Sequence, residues 1–344
     1  MIKTRVLVVD DSPLIRQVLV DILNGEPDIE VVGIARDGVE GVSMAQSLKP
    51  DVMTLDVEMP KLNGLAALVQ IMGTSPTRVV MVSTKTSAGA EATIEALEKG
   101  AMDFVCKPRN GSFMALREVH EDLVSKIRQV TRSPLPSKAR TPVRAATPTK
   151  VTDKVILIAT STGGPKALAC LFETLPAKWN VPILMVQHMP VGFTASLAER
   201  LSRLGTVPVR EAVDGDDIAP GLALIAPGGL HMRISDSGKV ELFDGPALHG
   251  VRPAADHLFE SAARKFGSRC LGAVLTGMGK DGAAGAMAIK TSGGTVFGES
   301  ESSCTIYGMP RAAKELGAIA GEYPIHEMGH ALVAMASGRL NRVA

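Results

Sequence analysis

The stretch Arg5-Val-Leu-Val-Val-Asp-Asp-Ser-Pro-Leu-Ile-Arg-Gln-Val-Leu-Val-Asp-Ile22 decides the fold class of the N-terminal part of the chain. It begins with a short β-branched run, and its later apolar residues recur at helical spacing, which is typical of a strand followed by a helix. Similar strand signals recur at Val31–Ile34, Asp51–Asp56, Arg78–Val82 and Asp103–Val105. This alternation predicts five parallel strands with helices on both faces, a doubly wound, flavodoxin-like α/β sheet.

The second half of the chain repeats this alternation after a change in composition. Residues 131–150 contain four prolines, five Lys or Arg and no acidic residue, which is typical of a linker. Strands are then predicted at Lys154–Ala159, Ile183–Val186, Leu222–Ala226, Leu271–Thr276 and Gly294–Phe297, and a hairpin over His231–Phe243 predicts an antiparallel edge. We therefore expect domains at 1–128 and 152–344, joined by a linker at 129–151.

The composition excludes several classes of protein. A chain of 344 residues with a net charge of +1 gives no general reason to expect a nucleic-acid or anionic-membrane partner. Its four cysteines form no CxxC pair, which argues against a disulfide framework and favours a reducing compartment. No apolar run is long enough to span a membrane. We expect a cytoplasmic protein without membrane insertion.

Polar residues at four predicted strand ends of the first half form one candidate site. Asp10, Asp11 and Asp56 would repel each other at the carboxyl edge of the sheet unless a hard cation such as Mg²⁺ lay among them. Lys107 would balance a second anion, and Ser83 lies at a neighbouring strand end. Such a set suits phosphoryl transfer onto Asp56. The alternative is that these Asp residues only cap the following helices.

The same residues resemble the response-regulator receiver family over residues 1 to about 128. The resemblance rests on Asp10-Asp11, Asp56, Met59-Pro60, Asn63-Gly64, Ser83 and Lys107. It implies Asp56 as the phosphoacceptor, Asp10 and Asp11 as Mg²⁺ ligands, Lys107 as a phosphate contact, Ser83 as a switch hydroxyl and Phe104 as a switch aromatic residue. It also implies a histidine kinase as the phosphodonor.

Three predicted strand ends of the second half carry a second candidate site. The segment Ser161-Thr-Gly-Gly-Pro165 places a serine on a tight turn before a helix, where the helix N-terminus favours developing negative charge. His188 and Asp281 follow two other strands and supply a base and an orienting carboxylate. The order Ser, His, Asp and the presence of Ala159 in place of the first glycine of GxSxG disfavour an ordinary α/β-hydrolase. Each residue alone could instead have a structural role.

The second half resembles the catalytic domain of the chemotaxis protein-glutamate methylesterases, the CheB family. The matching segments are Ser161–Pro165, Gln187-His-Met-Pro190, Ala226–Gly229, Arg252-Pro253 with Asp256, and Thr276–Gly279 with Asp281-Gly282. The family more often has glycine where this chain has Ala159.

This second resemblance implies a reaction and its residues. Ser161 would attack a receptor glutamate methyl ester, His188 would act as general base and Asp281 would orient it. Backbone N–H groups of Thr162 and Met278 would bind the oxyanion. It implies methanol release from methylated chemoreceptors, deamidation of receptor glutamines by the same chemistry, activation through the receiver domain, and no cofactor in the esterase domain.

Two further motifs in the sequence are typical of other chemistry. Gly277–Gly282 matches GxGxxG and is followed by Glu299, as in dinucleotide-binding proteins, but it comes late in the domain and contains Lys280-Asp281. His326-Glu-Met-Gly-His330 matches the HExxH zinc motif, but Gly329 weakens a helix and no acidic residue follows it. Both are disfavoured. A rival hypothesis from another class is a receiver-linked protein that only docks onto receptors or a kinase.

Overall fold

A computed structural model describes residues 3–107, 113–135, 153–205 and 207–338 of the chain, with the side chains of residues 113–118 left out. The chain divides into two compact units, Met1–Lys138 and Ala139–Ala344. Most of the expected linker, residues 136–151, lies outside the described residues. Within the described residues, no helix is long and apolar enough to cross a membrane.

The first unit is one parallel sheet with the strand order β2-β1-β3-β4-β5, which confirms the doubly wound prediction. The strands are β1 (Thr4–Val9), β2 (Ile29–Ala35), β3 (Val52–Asp56), β4 (Arg78–Ser83) and β5 (Asp103–Cys106), and the helices are α1 (Pro13–Asn24), α2 (Gly38–Leu48), α3 (Gly64–Thr74), α4 (Ser87–Glu98) and α5 (Phe113–Arg132). Because the order reverses between β1 and β3, the carboxyl ends of these two strands flank a crevice.

Helix α1 begins where the sequence predicts it, directly after the acidic pair. The Ser12 hydroxyl accepts the backbone N–H of Ile15 and caps the helix, and Pro13 occupies the first helical position. Helix α5 continues to Arg132, so residues 129–132 of the expected linker are helical. The apolar stripe of α5 includes Val130, which is fully buried. Because this residue belongs to the buried face, the helix continues past residue 128.

The second unit has a seven-stranded parallel sheet with the order β14-β13-β12-β6-β7-β9-β8. Its strands, including a separate pair, are β6 (Val155–Thr160), β7 (Ile183–Gln187), β8 (Val209–Glu211), β9 (Ala223–Ile225), β10 (His231–Ile234), β11 (Val240–Phe243), β12 (Cys270–Val274), β13 (Thr295–Glu299) and β14 (Gly321–Tyr323). The helices are α6 (Gly164–Thr174), α7 (Phe193–Leu204), α8 (Ala255–Phe266), α9 (Ala283–Thr291), α10 (Met309–Glu315) and α11 (Ile325–Ala336).

The predicted hairpin is present, but it does not extend the large sheet. Strands β10 and β11 pair antiparallel with each other and form a sheet of their own. Met232, Ile234 and Val240 bury this pair against the core, and Ser261 of α8 accepts the backbone N–H of Ile234. The edges of the large sheet are β8 and β14, two three-residue strands whose short patterns the sequence analysis did not identify.

Candidate functional site

The carboxyl edge of the first sheet brings Asp10, Asp56 and Lys107 together. Asp10 follows β1 and Asp56 ends β3, and both are buried. The ammonium Nζ of Lys107 lies 2.9 Å from Asp10 Oδ2 and 2.7 Å from Asp56 Oδ2. Asp10 Oδ1 also accepts the N–H of Ser12 at 2.9 Å. The predicted cluster of acids and a lysine therefore exists at one point of the sheet.

This cluster carries an excess of buried negative charge. Burial raises the pKa of Asp56 to about 6; the Lys107 ammonium opposes the rise, and the nearby Asp10 charge adds to it. The carboxylate oxygens of Asp10, Asp11 and Asp56 lie within 4.8 Å of one another. Oxygen ligands with surplus negative charge are what Mg²⁺ prefers, so these three residues fit that ion.

Ser83 and Phe104 lie on the two strands next to this cluster. The Ser83 hydroxyl, at the end of β4, is buried and donates to Gly89 O at 3.1 Å. The Phe104 side chain is buried on β5, and Lys126 Nζ lies 5.2 Å from the centre of its ring. Their switch roles stay predictions; Ser83 ends the strand next to β3, and Phe104 lies on the strand that precedes Lys107.

In the second unit, Ser161 lies on a tight turn between β6 and α6. Its N–H donates to Thr276 O at 3.0 Å, and its carbonyl accepts the N–H of Gly164 at 2.7 Å. Gly163 has a φ of 79°, and a Cβ there would lie 2.3 Å from Thr305 Oγ1. The glycine is therefore required by backbone conformation and by space. The turn presents Ser161 at the carboxyl edge of the large sheet, as predicted.

His188 and Asp281 form a hydrogen-bonded pair at the same edge. His188 Nε2 lies 2.7 Å from Asp281 Oδ2, and both side chains are largely buried. The Asp281 carboxylate also accepts the N–H groups of Ala255 at 2.6 Å and Asp256 at 3.0 Å, at the start of α8. Burial acts to raise the pKa of Asp281, but the bonds from His188 and the two N–H groups hold it below its ordinary value. Asp281 is thus an ionised partner for His188.

The strand register brings Ser161 and His188 together. Strands β6 and β7 are parallel neighbours with Thr160 opposite Gln187, so the residues that follow these two are adjacent. In the described part of the chain the Ser161 hydroxyl makes no hydrogen bond to His188; such catalytic bonds are often long in substrate-free enzymes. Because Asp281 contacts Nε2, the nitrogen left for Ser161 is Nδ1.

The expected oxyanion donors belong to two loops that touch at Ser161. Thr162 follows Ser161 on the turn, and its carbonyl accepts the Thr276 hydroxyl at 2.9 Å. Met278 follows Gly277, where a Cβ would lie 2.7 Å from the Cβ of Ser161. This close approach needs a glycine and places the backbone of Met278 beside the turn.

The structure adds residues that the sequence analysis did not assign to the site. The Glu299 carboxylate is fully buried and accepts the N–H of Thr276 at 2.8 Å and the Ser303 hydroxyl at 2.8 Å. Asp256 accepts the N–H of Gly285 at 2.8 Å and lies 3.0 Å from His249 Nε2. Glu299 could have been found from the sequence, because it is a polar residue at the end of a strand. No local sequence pattern indicates that the first N–H groups of α8 bind Asp281.

The two disfavoured motifs have structural uses. Gly277 of the GxGxxG segment packs against Ser161, and Asp281 of the same segment contacts His188. In the HExxH segment, Gly329 lies in α11, where a Cβ would be 1.9 Å from Thr174 Oγ1 of α6. Among the described residues, His326, Glu327 and His330 form no group able to hold a metal ion. Gly329 is therefore a point of close helix packing.

Together, the two units define a class of protein: a phosphoryl-accepting receiver fused to a hydrolase with serine, histidine and aspartate at one sheet edge. The family model described as CheB methylesterase matches residues 156–332, and the one described as response regulator receiver domain matches residues 6–116. The chain belongs to the CheB methylesterase family.

Relatives share this arrangement over nearly their whole length. A protein of Thermotoga maritima named protein-glutamate methylesterase/protein-glutamine glutaminase is 44% identical, covering 96% of this chain and 98% of its own. One of Pyrococcus abyssi with the same name is 43% identical, covering 96% of this chain and 93% of its own. The crystal structure of the T. maritima CheB methylesterase catalytic domain matches with a TM-score of 0.52 and 39% identity, over 54% of this chain and all of that one.

Proposed function

We propose that this chain demethylates glutamate methyl esters of chemotaxis receptors and deamidates receptor glutamines, and that phosphorylation of Asp56 activates it. The observation that carries the proposal is the His188–Asp281 pair beside the Ser161 turn, at 2.7 Å between Nε2 and Oδ2. The names of the full-length relatives, protein-glutamate methylesterase/protein-glutamine glutaminase, support the choice of substrate.

In the proposed reaction, Ser161 Oγ attacks the ester carbonyl while the His188 ring takes its proton. The ionised Asp281 stabilises the imidazolium that results. Backbone N–H groups of Thr162 and Met278 would stabilise the oxyanion of the tetrahedral intermediate, as preorganised donors do in acyl transfer. When this intermediate collapses, the C–O bond to the methoxy group breaks and His188 returns the proton to release methanol.

Water completes the cycle. It attacks the acyl-Ser161 carbonyl with His188 again as base, and the receptor glutamate and the Ser161 hydroxyl are regenerated. With a glutamine side chain the first leaving group is ammonia, and the remaining steps are the same. The single acyl-enzyme therefore accounts for both activities.

In the receiver, we propose that Asp56 takes a phosphoryl group from a histidine kinase. Mg²⁺ held by Asp10, Asp11 and Asp56 would supply neutralising charge for the transferred group. Lys107, already 2.7 Å from Asp56, would contact the phosphate. Ser83 and Phe104 would respond to it as the switch pair. We propose domains at 1–128 and 152–344, with α5 of the first extending to Arg132, and a location in the cytoplasm.

The decisive experiment is methanol release from methylated receptor membranes, comparing the wild-type chain with Ser161→Ala. Each is assayed with and without a small acyl phosphate and Mg²⁺. Release that is lost in Ser161→Ala and rises with the phosphodonor supports both sites. Release that survives the substitution contradicts the nucleophile assignment, and tight receptor binding without any release favours the docking hypothesis.

A further inference from the structure

Gln187 stands one residue before the proposed base, on the strand next to the nucleophile. It is the last residue of β7, is buried, and directly precedes His188. Its partner across the sheet is Thr160, which directly precedes Ser161. Gln187 thus lies at the point where the chain segments carrying the two reacting side chains leave the sheet.

The carboxamide of Gln187 connects the backbones of these two residues. Its nitrogen Nε2 lies 3.0 Å from Ser161 O and 3.2 Å from His188 O. A carboxamide has two N–H donors, so one hydrogen bond can go to each carbonyl. A single planar group therefore ties the serine turn to the segment that begins with His188.

The orientation of this carboxamide follows from its neighbours. A flipped amide would place Oε1 against two carbonyl oxygens, which cannot donate. As it stands, Oε1 has no hydrogen-bond partner among the described residues and faces Gly164, where a Cβ would lie 1.9 Å away. A buried acceptor without a partner costs free energy. Because this cost is tolerated here, glutamine is needed at this position for the two N–H donors of its carboxamide.

We propose that Gln187 is a positioning residue that sets the distance between the Ser161 hydroxyl and the His188 ring. Thr276 O and Gly164 N–H hold the serine turn from the β12 side and from α6. Gln187 holds it from the side of β7, which carries His188. The inference rests on the proposed function, because it takes Ser161 as nucleophile and His188 as base.

The test uses a reaction that needs the Ser–His pair but no receptor. In the full chain, we expect phenylmethylsulfonyl fluoride to label Ser161: Oγ would attack sulfur, fluoride would leave, and the proton would pass to His188. Gln187→Glu keeps the shape but removes both donors and places a carboxylate against two carbonyls. We expect the labelling rate to fall roughly 100-fold, the effect of a small misplacement of reacting groups. With receptor substrate, kcat should fall in proportion and KM should stay within about threefold.

Two further variants separate positioning from folding. Gln187→Met removes the donors without burying a charge, and we expect a fall in the labelling rate of at least about tenfold. Ser261→Ala, in α8, removes a buried acceptor for Ile234 N–H at 2.9 Å and should leave the rate of Ser161 labelling unchanged. The fluorescence of Trp179, the single tryptophan, reports whether each variant is folded.

The outcomes are distinct. A folded Gln187→Met that labels within about twofold of wild type overturns the inference. So does a loss of labelling in a Gln187 variant that merely follows the unfolded fraction of that variant. If methanol release persists in Ser161→Ala, the nucleophile assignment fails, and this inference, which rests on it, fails with it. If the reagent does not reach Ser161 in the wild-type chain, kcat and KM decide alone.

Discussion

Asp281 Oδ2 lies 2.7 Å from His188 Nε2 while the same carboxylate accepts two N–H groups from the first turn of α8. A helix N-terminus favours negative charge, so α8 and His188 both stabilise the ionised carboxylate. The orienting residue of the proposed triad is therefore held on one side by a rigid helix and on the other by the base. This arrangement fixes the ring of His188 before substrate binds.

Replacing Asp281 with asparagine tests this relationship. The amide keeps the size of the side chain, but its NH₂ would face backbone donors and would not stabilise an imidazolium. We expect kcat for methanol release to fall about 10³- to 10⁴-fold with little change in KM, as for the equivalent change in serine proteases. The matched control is Asp217→Asn, whose exposed carboxylate pairs with Lys239 at 3.0 Å, and which should keep wild-type kcat. Equal kcat in Asp281→Asn and wild type would contradict the triad.

Replacing Asp56 with asparagine tests the receiver. The variant cannot accept a phosphoryl group, so adding an acyl phosphate and Mg²⁺ should no longer raise methanol release, while the rate without phosphodonor stays at the wild-type level. Asp21→Asn, which removes only the charge of an exposed side chain that accepts from Gln17 on α1, should respond fully. A phosphodonor response that persists in Asp56→Asn would show that the phosphorylation site lies elsewhere.

The parallel sheets and most of the site residues could be predicted because their signals are local. In a parallel sheet, residues that follow neighbouring strands meet at one edge, so Asp10, Asp56 and Lys107 could be placed together from strand prediction alone. The same rule brought Ser161, His188 and Asp281 to one edge. Sequence reasoning therefore locates best those residues that follow clear apolar strands in a chain where strands and helices alternate.

Other features depend on contacts between distant segments. The hairpin β10–β11 has a clear local pattern, but only packing against α8 decides that it forms a separate sheet. Strands β8 and β14 are three residues long and are held mainly by their neighbours. The bridging amide of Gln187 depends on the register between β6 and β7. None of these features has a distinctive period along the chain.

The buried carboxyl of Glu299 predicts a pH-dependent stability. Burial raises its pKa from an ordinary 4.5 to about 7, against the hydrogen bonds from Thr276 and Ser303. Between these two pH values the native state holds a proton that the unfolded chain has lost, so the free energy of unfolding falls as pH rises and levels off above about pH 7. The total effect is up to about 3 kcal/mol.

Urea unfolding followed by Trp179 fluorescence measures this effect in wild type and Glu299→Gln. The stability advantage of wild type over the variant should shrink between pH 5 and pH 8, because glutamine does not titrate. Glu301→Gln, with an exposed side chain, should show the pH dependence of wild type. Parallel curves for wild type and Glu299→Gln would contradict a raised pKa at this position.

We expect substitution of Gly329, in the HExxH segment, to disturb helix packing rather than metal binding. A Cβ on Gly329 would lie 1.9 Å from Oγ1 of the buried Thr174, whose β-branched side chain is stiff, so α11 must shift away from α6. We expect Gly329→Ala to lower the free energy of unfolding by about 1–3 kcal/mol in spite of the better helix propensity of alanine. Trp179 fluorescence in urea measures the loss.

The alternative that the HExxH motif binds zinc can be tested at its two histidines. If His326 and His330 held a catalytic metal, replacing both with alanine or adding a zinc chelator would abolish methanol release. Because the structure gives Ser161, His188 and Asp281 the reacting positions, we expect the double variant to keep kcat within about twofold of wild type. We likewise expect a chelator of Zn²⁺ to leave the rate without phosphodonor unchanged. Loss of that rate in either experiment would place the chemistry on α11 and remove it from the edge of the β-sheet.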